Sequence, residues 1–327
     1  MFKKICYFII ITNCCLLKLF GQASTENQSF RIVGYYSLKA AMQNDFTSGP
    51  FDKLTHINLY FLNPDSAGNF SQDFSSLTPF INEAHKHHVQ VLPSMAGGSP
   101  HPYYHELLKA GKRSKLVSDL LQIVLQYNFD GIDVDIEGSD IDENYENFAI
   151  DLKKVFHAHN KLVTSAIAVF YKDVLSDNAL AQYDFVNIMS YDHTGPWTPK
   201  KPGPHSTYEQ AVEDLNYFAV IRKIPKEKMN LGVPFYGYGF GPQLSSTPSS
   251  LSYSDIIIQF PNASSSDSLL MPTGATMYYN GVETIKKKTA LAMKKASGVM
   301  IWQLSGDALG DKSLLDAIHQ EINTSKK

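Results

Sequence analysis

Residues 129–138 read FDGIDVDIEG, and the fold turns on which way their acids point. Ile132, Val134 and Ile136 alternate with Asp133, Asp135 and Glu137, and Asp130 opens the run. Side chains along a strand point to opposite faces with period two, so three carboxylates share one face and three β-branched residues share the other. At the surface of an open antiparallel sheet such a strand is ordinary. Inside a closed barrel it buries carboxylates, which is costly unless the site uses them.

The surrounding chain decides between these settings. Seven further short apolar segments, rich in β-branched residues, occur at 31–36, 56–62, 89–94, 162–168, 185–190, 230–235 and 298–303. Between most of them lie stretches of helical periodicity at 75–88, 106–127, 142–160, 207–223, 282–296 and 311–322. An acid near Asp140 or Asp142 suits the cap of the third, and Thr207…Gln210 has the capping-box spacing at the start of the fourth. The helices after the first and fifth strands are weakly written. Strand and helix alternating eight times imply an α/β fold of the (β/α)8 TIM-barrel type, with the acids at a strand C-terminus, where such barrels carry their active sites. No linker divides the chain. The Ser- and Pro-rich stretch 239–274 reads as an enlarged loop after the seventh strand that helps to shape the cleft.

The chain has 327 residues, 43% hydrophobic and 19% charged, with a formal net charge of -3. Nothing in that balance suits a polyanionic partner, so no nucleic acid is expected. Its 18 Tyr, 19 Phe and 2 Trp leave aromatics to spare for a ligand cleft, although core packing accounts for most of them. Residues 1–23 read as a secretory signal peptide: a basic start, an apolar run interrupted by Thr12, Asn13 and Lys18, and small residues at 21–23. The run falls short of the ~20 residues of a spanning helix. A lipoprotein leader acylated at Cys14 or Cys15 is the alternative. All 3 cysteines (Cys6, Cys14 and Cys15) lie there, so the remainder has no disulfide, zinc-thiolate site or thiol nucleophile. The expectation is a secreted or periplasmic monomer without a membrane span, or one tethered at the cell surface by lipid.

Alternate strand residues are ~6.6 Å apart along the chain, close enough for side chains to meet. Three like charges in one pocket cannot all ionise cheaply, so at least one retains a proton near neutrality. Glu137 is nearest the mouth and has the longest reach, which suits a general acid. Asp135 then shares a proton with Asp133 and contacts substrate.

DGIDVDIE at 130–137 resembles the Asp-Gly-x-Asp-x-Asp-x-Glu signature of glycoside hydrolase family 18, the chitinases and endo-β-N-acetylglucosaminidases. VGYY at 33–36, THINLYF at 55–61, MSYD at 189–192, LGVPFYGYGF at 231–240 and GVMIWQLSGD at 298–307 are similar to its first, second, sixth, seventh and eighth strands. One segment departs: where the family has Ser-x-Gly-Gly this chain reads Ser94-Met95-Ala96-Gly97-Gly98, so either there is one residue more or Met95 stands in place of the Ser. The insertion after the seventh strand also looks reduced. The resemblance implies a catalytic domain over 24–327 that cleaves β-1,4-linked N-acetylglucosamine glycans by substrate-assisted retention, with no cofactor. It implies Glu137 as acid and base, and Asp135, backed by Asp133, orienting the substrate acetamide. Tyr191 would donate to the acetamide oxygen, and Asp192, with Met189 of the same motif, would support that subsite. Trp302 would form the floor. Tyr36, Phe61, Trp197 and Tyr236 are further candidates to line the cleft. HKHH at 85–88 closes a helix and reads as a dipole-compensating cluster, so no metal is expected. An endo-β-N-acetylglucosaminidase acting on N-glycan cores, and a non-catalytic sugar-binding protein on the same barrel, are the competing readings.

Overall fold

The structure, a computed structural model, describes residues 30–43, 49–241 and 250–325. The leader read at 1–23, with its cysteines, lies outside the described residues. Strands β1 (Arg31–Ser37), β2 (His56–Leu62), β3 (Gln90–Ala96), β4 (Gly131–Asp135), β5 (Leu162–Ala168), β6 (Phe185–Met189) and β7 (Met229–Pro234) pair in parallel with their sequence neighbours. An insertion follows, with β8 (Tyr236–Phe240), β9 (Leu251–Ser252), β10 (Ser268–Leu270) and β11 (Thr276–Tyr278) in one small antiparallel sheet. Strand β12 (Gly298–Trp302) then pairs with both β7 and β1 and closes the barrel. The fold is thus the expected eight-stranded parallel barrel, and the enlarged loop is a reduced insertion built from four short strands and one helix.

Helices α1 (Leu38–Met42), α2 (Thr78–Lys86), α3 (Tyr104–Leu107), α4 (Ala110–Gln126), α5 (Tyr145–His157), α6 (Asp177–Ala181) and α7 (Tyr208–Asn216) follow the first six strands. Helix α8 (Tyr253–Gln259) belongs to the insertion, α9 (Val282–Lys295) precedes β12, and α10 (Leu314–Thr324) ends the described chain. The two weakly written helices, α1 and α6, are five residues each. The stretch expected as one helix over 106–127 is two, α3 and α4. On α7 the capping box is present: Gln210 N donates to Thr207 Oγ1 (3.1 Å) and Thr207 N to Gln210 Oε1 (2.7 Å). The expected acid cap on α5 is displaced. Asn144 occupies the cap position, and Asp142 accepts from the Asn144 N–H (2.8 Å) just before it. Among the described residues no helix is long and apolar enough to cross a membrane.

Period two sorts the barrel into layers. Ile132, Val134 and Ile136 are buried outward, in the same apolar layer as Phe148 and Leu152 of α5. Inward lie Val33, Tyr35, Ala166, Phe185, Tyr191 and Met300. The base of the interior is polar: the Arg31 guanidinium lies 4.6 Å over Phe185, and its Nε donates to Asn230 Oδ1 (2.9 Å). Tyr36, expected in the cleft, is in the outer layer, its ring stacked on Phe80 at 6.2 Å. One position of strand parity separates it from Tyr35, which takes the inward place.

The barrel closes tightly at Gly131, the first residue of β4, where a β-carbon would stand 2.3 Å from the Leu162 carbonyl oxygen. The obstructing atoms are the Leu162 carbonyl and its β-carbon, which cannot swing away as the end of a side chain could. Gly131→Ala is expected to lower the unfolding free energy by about 1–3 kcal/mol, the usual range for overpacking, which a urea denaturation series measures.

Candidate active site

At the bottom of the cleft is Asp133, fully buried. Strand register places Ser94 of β3 and Thr164 of β5 level with it. Ser94 Oγ donates to Asp133 Oδ2 (2.8 Å), Thr164 Oγ1 to Oδ1 (2.6 Å), and the Tyr35 hydroxyl reaches across the barrel to Oδ2 (2.6 Å). Burial pushes the Asp133 carboxyl up, and the hydrogen bonds from Thr164, Tyr35, Ser94 and Asn58 pull it back. Both oxygens are engaged by hydroxyl donors, yet burial is the larger cause and the net direction is upward. Hydrogen bonds to a carboxylate favour its charged form.

Asp135, one step higher, has the opposite surroundings. It is 3% exposed, and among the described residues its Oδ1 has no hydrogen-bond partner. Burial, then Glu137, then Asp133 drive its pKa well above the ordinary value. Its backbone carbonyl accepts from Gly97 N (2.9 Å). Gly97 has φ +68, and a β-carbon there would stand 2.1 Å from Phe61 and 2.6 Å from Asp135 Oδ2. Only glycine combines that conformation with that approach. Gly97 lies in a left-handed run, with Ala96 at φ 65 and Gly98 at φ 75. Asn63 holds the run: its Oδ1 accepts from Ala96 N (2.8 Å) and its Nδ2 donates to Ala96 O (3.2 Å), while the Tyr104 hydroxyl donates to Asn63 Oδ1 (2.7 Å).

Glu137 extends past the end of β4 to the cavity wall. Burial, with Asp192 as a second cause, raises its carboxyl to about 7. Across the cavity stands Tyr191, 5% exposed, whose hydroxyl has, among the described residues, the Met300 sulfur as its one hydrogen-bond partner at 3.8 Å. Asp192 follows in a left-handed conformation, φ 64, and accepts from the Tyr236 hydroxyl. Behind it lies His205, fully buried, with Nδ1 3.4 Å from Asp192 Oδ1; desolvation lowers its pKa and keeps the ring neutral.

A buried chain of polar groups clamps this turn. Lys288 Nζ donates to Ser206 O (2.8 Å), Ser206 Oγ (2.7 Å) and Asn280 Oδ1 (2.8 Å). Ser206 Oγ donates to Ser190 O (2.6 Å), and Ser190 Oγ to Asp214 Oδ2 (2.6 Å), which also lies 3.1 Å from His193 Nε2. Residues 190 and 193, on either side of Tyr191 and Asp192, are thereby fixed. Burial pulls the Lys288 amine down to about 7, against the opposing charges of Asp267, Asp214 and Glu209.

The resulting cavity has a volume of about 650 Å³. Asp135, Glu137, Met189, Tyr191, Asp192, Phe61, Trp197 and Trp302 all line it. Asp133 lies beneath and Tyr236 behind, against Tyr191 and Asp192. Tyr36 takes no part. Trp302 packs on Tyr35 (5.4 Å), Tyr60 (4.9 Å) and Phe61 (5.9 Å), which leaves a flat indole at the base of the cavity. Trp197 is 55% exposed and leans edge-on against Tyr238 of the insertion at 5.4 Å, so it both packs on its loop and faces the cavity. Sequence reasoning missed Phe170, Tyr171 and His193 on the wall, and the hydroxyl donors Tyr35, Ser94 and Thr164 below.

Comparison with known proteins gives a consistent picture. The family model of glycosyl hydrolases family 18 matches residues 31–307. "Probable chitinase 2" of Drosophila melanogaster is 24% identical over 72% of this chain and 60% of its own length. "Chitinase A1" of Niallia circulans is 23% identical over 90% of this chain and 59% of its own. The chain therefore spans less than two thirds of these relatives. Among solved structures, the GH18 chitinase ChiB from the chitin utilization locus of Flavobacterium johnsoniae superposes with a TM-score of 0.81, at 33% identity over 91% of this chain and 96% of that one. A chitinase from Bacteroides thetaiotaomicron gives 0.77, at 29% identity over 90% and 96%.

The electrostatics of the wall are directly testable. Asp192→Asn removes a like charge, so the Glu137 midpoint is expected to fall from about 7 while staying above its ordinary 4.5, because burial is the larger cause. Carbon-detected NMR titration of the glutamate carboxyl carbons measures it. The folded state holds this proton up to about pH 7 and the unfolded chain gives it up near 4.5. The stability owed to Glu137 therefore falls as pH rises through that window.

Proposed function

The chain belongs to glycosyl hydrolases family 18, and from that membership we propose that it cleaves β-1,4 bonds on the reducing side of N-acetylglucosamine, with chitin or chito-oligosaccharides as substrate. One observation carries the reading. Among the described residues, a buried carboxyl with an unpartnered oxygen (Asp135), a buried hydroxyl whose one hydrogen-bond partner is a sulfur (Tyr191) and a carboxyl raised to about 7 (Glu137) converge on one cavity with an indole floor. An acetamide group matches the first two: its N–H donates to Asp135, and its carbonyl oxygen accepts from Tyr191.

The chemistry follows from that placement and departs from the usual scheme of two carboxylates flanking the bond. Glu137 gives its proton to the glycosidic oxygen as the bond to the anomeric carbon breaks. The acetamide oxygen attacks that carbon from the opposite face and forms an oxazolinium ion. Asp135 accepts a hydrogen bond from the acetamide N–H and so orients the group for attack, an interaction favoured in a dry site where electrostatic interactions are strong. Glu137, now a carboxylate, removes a proton from the water that opens the ring, and retention results. Trp302 supports the sugar face, and Asp192 with Tyr236 holds the wall beside it. The signal-peptide pattern read in the sequence at 1–23 would place this action outside the cytoplasm.

Glu137→Gln is expected to reduce hydrolysis of N-acetylglucosamine hexamer by at least ~10²-fold, the low end for loss of a general acid, while binding of the hexamer persists. Calorimetry beside a product assay reads both, and unchanged turnover would remove Glu137 from the role. In the wild type, kcat/KM is expected to fall above about pH 7, as Glu137 loses its proton. A high-mannose glycopeptide run in parallel tests the N-glycan alternative. A thiazoline mimic of the oxazolinium ion is expected to inhibit competitively, since enzymes bind transition-state-like species best; lack of inhibition would count against acetamide participation.

A further inference from the structure

We propose that a second cavity, on the flank of the barrel, is an auxiliary binding site for a chain of β-linked N-acetylglucosamine; the choice of ligand rests on the function proposed above. The cavity has a volume of about 270 Å³ and lies between the loop that follows β2 and the outer face of α4. Four amides, Asn69, Gln72, Gln122 and Gln126, surround two half-buried rings, Phe70 and Tyr127.

The helix face itself is unusual. A solvated helix surface ordinarily carries charge, as the lysines of α9 do. The last eleven residues of α4, 116–126, read LVSDLLQIVLQ, and Asp119 is their one charged residue. Asp119 is paired with Lys115, 2.6 Å away on the same helix, so the cavity presents no net charge to an ionic ligand. Much of its polar capacity is uncommitted: among the described residues the amides of Gln122 and Gln126 have no hydrogen-bond partner, Gln72 Nε2 reaches only the Met42 sulfur (3.0 Å), and Asn69 alone is engaged, its Nδ2 donating to Asp65 Oδ2 (3.4 Å). The aromatic part is held in place. The Tyr127 hydroxyl donates to Asp73 Oδ1 (3.1 Å), and its ring meets Phe74 edge-on at 5.4 Å.

This combination selects a neutral, polyhydroxylated ligand. An amide offers a donor and an acceptor side by side, which suits vicinal hydroxyls and an acetamide group, and the rings suit the C–H face of a pyranose. The cavity is too small and too polar for a protein interface, which buries ~1,000 Å² or more. Its position gives it a use. Phe70 is nine residues from Phe61 of the main cavity along one loop, so the two sites are separated by at most ~32 Å of chain. A polymer held on the flank raises the local concentration of its neighbouring sugars at the cleft. The benefit applies to long or insoluble substrate and not to a soluble disaccharide glycoside.

The test uses the full chain carrying Glu137→Gln, so that the polymer survives, and native electrophoresis through gels containing glycol chitin. Gln122→Ala/Gln126→Ala, and separately Gln122→Glu/Gln126→Glu, alter exposed side chains only, so folding is not at stake. Each is expected to weaken retardation at least about threefold and to reduce adsorption to chitin powder in step, the scale of losing one of two linked contacts. With Glu137 restored, the same variants are expected to keep kcat/KM on a soluble chitobioside within about twofold of wild type. Retardation and adsorption unchanged in both pairs would overturn the flank site while leaving the proposed activity intact. Retardation lost in the variants, in a chain that cleaves no chitobioside, would support the flank site and remove the activity.

Discussion

A carboxylate sealed beneath three hydroxyls sets the conditions for everything above it. Asp133 accepts from Tyr35, Ser94 and Thr164. These donors oppose the effect of burial on Asp133, while burial, then Glu137, then Asp133 raise Asp135 one step higher. Asp135 has an oxygen without a hydrogen-bond partner among the described residues, and Glu137 at the rim is tuned near neutrality. A single inward-facing row of acids thus becomes three groups in three electrostatic situations, and the ordering comes from what each can reach. Removing one hydroxyl would alter the row from below without touching the cavity wall.

The row is useful only if the backbone around it is held, and two devices hold it. On one side Asn63 grips both backbone groups of Ala96, so that Gly97 can pass between Phe61 and Asp135. On the other side the Lys288–Ser206–Ser190 chain pins the turn that carries Tyr191 and Asp192. Gly232 completes the second side, since a β-carbon there would stand 3.0 Å from the Tyr191 ring. Neither device touches the cavity, yet both determine how closely its opposed walls approach.

Much of this fold is legible in the sequence because its signals are local. Each barrel strand is a short β-branched run, and the acids alternate along β4 with an unbroken period. The capping box on α7 is likewise contained in four residues. What escapes is non-local or depends on parity. Tyr35 and Tyr36 are neighbours of the same type in a strand buried on both faces, so nothing in VGYY decides which one looks inward. Ser94 and Thr164 are single hydroxyls whose meaning depends on the register of three strands. The left-handed run at Ala96–Gly98 reads in sequence as either one residue more or a replaced Ser, but in space it lets the loop pass under Phe61. Phe170 and Tyr171 come from a loop with no periodic signal.

Lys288 also has a practical consequence. Its amine is wholly enclosed, with three acceptors within hydrogen-bond distance, so amine-directed reagents meet it only when the segment around Ser206 swings away. Acylation at this lysine, followed by peptide mass mapping, would then time the spontaneous opening of the β6–α7 loop. Surface lysines would label at once, and the delay between the two would measure how firmly that side of the barrel is latched.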